Sequence, residues 1–374
     1  MWQPPSAWRG FAAGLLVLLL GACASSDRPK PAELQPLVAK VSAKTAWQQR
    51  VGGLLRGGVA LKADQLLVAS DEGEVQALDL NGTQQWRVAL ARPLATGPGY
   101  DGQHVAVVTQ DQELQVLTRD GVKWRDRLGV HVATPPLVAG ERVFVQAVDR
   151  SVHAFDVRDG HRLWTLRRPA DPLTLSQFGV LTAVGDTLVV GHASRLLGVD
   201  PLNGQVRWEV LVASPRGTNE VERLADLVGP VARDGRVLCM RAFQNAVGCV
   251  DTERAAVQWS APMGGVGAVA ADREVLASVD GADRIVVRRR NRGEQAWLQE
   301  ALLYRGLGAP ALLPQGLLVG DTQGWLHLFS REAGDALMRM ETDGSAIRQA
   351  PMSLPDGRVL VVTSKGSLLA LQWR

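Results

Sequence analysis

An alternating apolar run, an acidic residue, a glycine-containing turn and a second run carrying tryptophan recur along the chain. One copy places Asp156, Gly160 and Trp164 in that order, and a second places Asp200, Gly204 and Trp208. A third, one residue shorter, has Asp79, Gly82 and Trp86. Alternation is the period of a strand with one face on a core. Glycine takes positive φ without a Cβ clash, and aspartate bonds nearby backbone amides. The phrase therefore predicts a β-hairpin with a large aromatic anchor on its second strand. Ahead of these hairpins lie further turns at Asp101-Gly102, Gly185-Asp186, Asp234-Gly235 and Asp356-Gly357. A middle turn recurs around Asp71, Asp321 and Ser364. Each unit then reads as four strands joined by three tight turns in roughly 40 residues, the size of one propeller blade.

The anchors serve as a ruler. Trp47, Trp86, Trp124, Trp164, Trp208, Trp259 and Trp297 are spaced by 39, 38, 40, 44, 51 and 38 residues, and Met338 follows 41 later in the same slot. Departures are local: Ala255 replaces the turn glycine in one copy and Arg289 the aspartate in another. Eight anchors predict an all-β, eight-bladed β-propeller of four-stranded antiparallel blades. The last unit stops at Arg374 without an anchor strand, whereas the strand around Trp47 has no unit before it. Pairing the N-terminal strand with the C-terminal blade closes the ring and removes open edges. An open solenoid, the alternative, would need capping repeats, and none is visible.

The N-terminus follows a different pattern. Arg9 precedes an apolar stretch, residues 10–20, of signal-peptide length and too short to span a bilayer. It ends in Gly21, Ala22 and Cys23, which resembles a bacterial lipobox. Residues 1–22 are thus expected to be a lipoprotein signal peptide and Cys23 the lipidated first residue of the mature chain. Ala24 after it resembles an outer-membrane address. Residues 23–44 are polar and carry Lys and Pro, so they are expected to be a flexible tether, with the propeller spanning 45–374.

Composition removes several function classes. The 374 residues carry a net charge of +3, which leaves no nucleic-acid footprint. The one basic cluster, Arg288, Arg289, Arg290 and Arg292, reads as a solvated strand end. The six histidines (104, 131, 153, 161, 192 and 327) fall at different places in different blades and form no metal-ligand spacing. An acid that recurs in every blade is scaffold, whereas a catalytic acid would be singular. No catalytic residue, metal site or cofactor is expected. Cys239 and Cys249 lie on the two strands of one hairpin, and the register decides whether they face each other; a disulfide and a pair of buried thiols both remain open.

Length irregularity is more informative. The two longest spacings place extra residues at about 168–177 and 213–227, in equivalent connections of neighbouring blades. Such connections project side by side from one face. The first carries Leu173 and Leu175, and the second Glu220, Glu222, Arg223 and Asp226. An apolar pair beside a charged cluster on a rigid scaffold predicts a protein-interaction patch.

The repeat with Ala154, Asp156, Gly160 and Trp164 resembles that of quinoprotein-type propellers. Together with the lipobox, the tether and eight blades, the chain resembles the BamB family, propeller lipoproteins of the outer-membrane β-barrel assembly (Bam) machinery. The resemblance implies a non-enzymatic scaffold, monomeric within the complex, lipid-anchored on the periplasmic side of the outer membrane. It implies docking on the POTRA domains of BamA and assistance to unfolded barrel proteins. Two neighbouring loops carry the family's contacts. They map to Leu173, Leu175 and Ser176, and to Arg223, Asp226 and Val228, with Ser176 and Val228 standing where other members have Arg and Asp. Quinone-dependent dehydrogenases share the repeat, but they resemble longer chains with a vicinal cysteine pair, which is absent here. An adaptor for another envelope partner is the remaining alternative.

Overall fold

Eight four-stranded antiparallel sheets follow one another around a ring in the computed structural model, which describes residues 29–169 and 173–374. The expected signal peptide and Cys23 lie outside the described residues. The strands are numbered β1 to β32 in chain order. Blades one to seven span 55–89, 94–127, 137–166, 181–211, 227–262, 270–299 and 311–341. Blade eight combines residues 352–373 with β1 (Ala43–Arg50), whose register on β32 (Ser367–Trp373) runs from Ala43 opposite Trp373 to Arg50 opposite Ser367. The predicted closure of the ring by the N-terminal strand is therefore present. Among the described residues no helix is long and apolar enough to cross a membrane.

The core lies between the blades. Each of eight apolar clusters joins two adjacent sheets; Val143 and Phe155 of blade three pack with Ala106 and Val116 of blade two, while Phe144 and Ala154 pack with Leu188 and Leu197 of blade four. Both faces of a blade are thus covered. The middle strands are consequently buried along their length, as in β15 (Thr187–His192), where residues 188–192 are all buried. Alternation, the expected signature, describes the outer strands; a sheet sandwiched on both sides does not need it.

The anchor residues lock one blade to the next. Trp164 of blade three donates its indole N–H to the Pro201 carbonyl of blade four at 3.0 Å. Trp47, Trp124 and Trp297 do the same to Leu80, Val157 and Arg331 at 2.7, 2.8 and 2.8 Å. Five rings, those of Trp47, Trp124, Trp164, Trp259 and Trp297, lie under the following blade's turn glycine. At Gly204 φ is +77°, and a Cβ there would sit 2.7 Å from the Trp164 ring. Every anchor also sits at a register shift between the third and fourth strands, as between Ala154 and Phe155 opposite Trp164. Such bulges increase the local twist that a propeller blade needs. Met338 now has a reason. Blade eight has no turn between its third and fourth strands, because that junction joins the two ends of the chain, so blade seven has no glycine on which to stack an indole.

Two boundaries differ from expectation. The tether was placed at 23–44, but from Ala32 onward it is bonded to the ring. Ala32 N–H donates to the Leu303 carbonyl at 2.9 Å and Lys40 N–H to the Leu337 carbonyl at 2.8 Å, while Leu34 and Val41 pack against core clusters. A polar, Pro-containing composition conceals these two apolar contacts. The second long connection ends at Asp226, and β18 begins at Leu227. The pairing of β18 shifts register between Val228 and Ala232, which breaks the alternation that would have marked the strand.

Cys239 and Cys249 stand directly opposite each other on β19 (Val237–Ala242) and β20 (Ala246–Asp251), and they form a disulfide. The register that the sequence left open is thereby decided: the bulge of blade five lies between β20 and the anchor strand, and the β19–β20 pairing is regular. Replacing both cysteines with alanine should lower unfolding free energy by about 2–3 kcal/mol. The urea midpoints of the wild type, with and without dithiothreitol, and of the variant measure this.

Candidate functional site

The connections from each blade's outer strand to the next blade's inner strand share one face with the turns between second and third strands. The two longest are 167–180, between β13 (Arg162–Leu166) and β14 (Leu181–Val184), and 212–226, between β17 (Val206–Leu211) and β18 (Leu227–Asp234). They touch, as their spacing predicted. The contact is organised by Arg150, from the turn between β11 (Arg142–Gln146) and β12 (Val152–Asp156). Its guanidinium donates to Asp226 Oδ1 at 2.7 Å and to the Leu173 carbonyl at 3.0 Å. Asp226 Oδ2 in turn accepts the Leu175 N–H at 2.9 Å, and the Asp226 carbonyl accepts the Phe243 N–H. The side chains of Arg150 and Asp226 are 7% and 15% exposed. Taking two charges out of water is offset here by their pairing and by backbone hydrogen bonds on both partners.

The predicted site residues separate into three groups. Leu173 and Leu175 are half-buried at the junction of the loops, and Ser176 is exposed beside them. Ser176 lines a cleft of about 580 Å³ with Thr96, His131, Gln177 and Phe178. Arg223 is exposed, whereas Asp226 is turned inward as the brace. Val228 is 3% exposed within β18 and is paired with Arg241, so its side chain offers nothing to a docking partner. Sequence reasoning missed Arg150, whose partners lie 23 and 76 residues away. It also missed Val221, an apolar residue 72% exposed on the second loop. An apolar residue between Glu220 and Glu222 in an overlong connection was the available signal. The tip carrying it is internally fixed: Glu222 Oε2 accepts the Thr218 N–H at 2.8 Å, and Asn219 Oδ1 accepts the Glu222 N–H at 2.9 Å. The first of these bonds holds the Glu222 carboxyl below its ordinary range.

Behind the brace, burial lowers the pKa of His192, and the Arg150 charge adds to the effect. Burial likewise lowers His153 and His327. A base with a folded pKa below its unfolded value is protonated first in the unfolded chain. These three histidines therefore contribute full stability above about pH 6.5 and lose it as pH falls from there toward their folded values. The urea midpoint should fall between pH 7.5 and 5.5, and His192→Gln should reduce that difference.

What the site can do is present a firm, mixed apolar and charged surface. Among the described residues, no three His, Cys, Asp or Glu side chains are placed to hold a metal ion.

Comparison with known proteins agrees with the geometry. A family model described as outer membrane protein assembly factor BamB matches residues 37–122 and 71–299. The BamB of Bordetella pertussis is 33% identical over 99% of this chain and 98% of its own length. That of Escherichia coli K12 is 27% identical over 96% and 97%. Among solved structures, BamB from Moraxella catarrhalis superposes with a TM-score of 0.80 at 19% identity, covering 88% of this chain and all of that one. A quinohemoprotein alcohol dehydrogenase from Comamonas testosteroni shares the fold at a TM-score of 0.66 and 12% identity, over 88% of this chain and 76% of the enzyme. With whole-length identity above 30%, the family model over most of the ring and eight blades closed by the N-terminal strand, the chain belongs to the BamB family of outer membrane protein assembly factors.

Proposed function

We propose that this chain is a non-enzymatic scaffold of the Bam complex. It is lipidated at Cys23, held on the periplasmic face of the outer membrane, and docked on POTRA domains of BamA through the 167–180 and 212–226 connections. In that position it assists the folding and insertion of barrel proteins. The observation that carries the reading is the brace of Arg150 on Asp226 and the Leu173 carbonyl. It joins two overlong loops into one preformed surface that carries Leu173, Leu175 and Val221. Preorganised apolar residues with charges at their rim suit recognition of a folded protein, because little ordering entropy is lost on docking. Enlarged loops that present apolar and charged side chains on a rigid scaffold support binding over chemistry.

The test is isolation of the full lipidated protein from solubilised outer membranes, with its partners identified by mass spectrometry. BamA should be the principal partner. A different envelope protein in its place would overturn the docking reading, and a bound quinone with dye reduction would overturn the non-enzymatic one.

A further inference from the structure

Residues 32–42 run down the outer edge of blade seven as a strap. They begin on the same face as the loops described above. There the Ala32 N–H donates to Leu303, and the Ala32 carbonyl accepts from Arg305 Nη1 at 3.0 Å. Arg305 is 4% exposed, and its other N–H groups go to Asp321 Oδ2 at 2.8 Å and to Gln323 Oε1. The strap then descends antiparallel to β29 (Ala336–Glu341). Leu34 packs into the core between blades six and seven, Arg339 Nη1 donates to the Gln35 carbonyl at 3.0 Å, and Lys40 N–H reaches Leu337. Val41 enters the next core cluster, and β1 turns back up blade eight. The strap covers β29, the strand whose anchor slot holds Met338. Removing it would leave a buried guanidinium N–H without its carbonyl, which is costly.

We infer that this segment is a fixed strap which sets the point from which the ring hangs from a lipid surface. The inference rests on the proposed lipidation of Cys23. With the strap fixed, nine peptide steps separate Cys23 from Ala32, a reach of roughly 30 Å when fully extended. A free tether up to Ala43 would allow roughly 70 Å. The outlet at Ala32 belongs to the face that carries the 167–180 and 212–226 loops. The strap therefore holds the blade six–seven edge of that face close to the bilayer, whichever way the rest of the ring turns.

Energy transfer tests this on the full lipidated chain in vesicles of phosphatidylethanolamine and phosphatidylglycerol carrying a headgroup acceptor dye. One donor is placed at Glu300→Cys, exposed beside the outlet, and another at Asp120→Cys, exposed in a turn on the opposite face of blade two. Cys239 and Cys249 are disulfide-bonded and do not compete for label. Transfer from position 300 should be at least twice that from position 120. Replacing residues 32–39 with Gly and Ser at equal length, which removes the Leu34 contact but changes no residue of the blades, should bring the ratio toward one. Equal transfer from both positions in the wild type, or an unchanged ratio in the replaced strap, overturns the inference. Intact mass separates this from failure of the anchor. An acylated chain with equal transfer refutes the strap alone, whereas a chain without acyl groups that stays off the vesicles refutes the lipidation reading and the suspension with it. Amide exchange on the same protein gives the second readout: Ala32 and Lys40 should exchange slowly, and rapid exchange refutes the strap in either case.

Discussion

Leu173→Glu should abolish co-purification with BamA while the fold survives. The backbone of Leu173 is held by Arg150 through its carbonyl, so a change of side chain leaves the loop in place. A carboxylate would then have to be desolvated within the proposed docking surface. Central apolar positions of this kind typically cost 2 kcal/mol or more when lost, a drop in affinity of about 30-fold or greater. Arg150→Met makes the test sharper. The Arg150 side chain is 7% exposed and cannot contribute much contact to a partner. If docking depends on loop geometry, this variant weakens binding by about tenfold and Asp226→Asn has a similar effect. If Asp226 acts by touching the partner directly, Arg150→Met is harmless and Asp226→Asn alone is damaging. Pull-down with the periplasmic part of BamA, and titration of the purified pair, distinguish the outcomes. Full binding by Leu173→Glu would remove these loops from the site.

Gly204→Val should destabilise the ring strongly. The position has φ +77°, where a β-branched residue is strained, and its Cβ would fall 2.7 Å from the Trp164 ring. Strain of about 1–3 kcal/mol and overpacking of a similar size add to roughly 2–6 kcal/mol. The chain contains its own control. Gly121 occupies the equivalent turn of blade two, at φ +118°, with nothing within 4 Å of an added Cβ. Gly121→Val should carry the backbone cost alone, about 1–3 kcal/mol. Urea midpoints for the two variants test the comparison. Equal losses would show that Trp164 yields freely and that the indole does not lock the blades.

The turn phrase was legible as a hairpin, and its spacing gave the number of blades, but its partner was not. Read locally, Trp164 anchors its own hairpin; in the ring it reaches forward to Pro201, 37 residues later. The same limit applies to the site. Overlong spacing marked the two loops correctly, because a strict repeat makes any insertion visible. It could not mark Arg150, which sits in a turn of ordinary length and is defined by two loops far from it in sequence. Val228 was named because the resemblance maps a loop contact there, whereas it is buried in β18 and paired with Arg241, just before a shift in register. The Cys239–Cys249 pair was undecidable without the register, since a shift of one residue sends facing side chains to opposite sides of a sheet.

By itself the sequence determined the repeating unit, the eight blades, the closing strand and the position of the enlarged connections. These depend on local turn chemistry and on period, which survive without knowledge of neighbours. Tertiary structure alone decided which groups meet across blades: five of the indoles on the next turn, Arg150 between two loops, the cysteines in register, and Ala32 on Arg305. Those contacts join residues that only closure of the ring brings together, and burial then makes them energetically decisive.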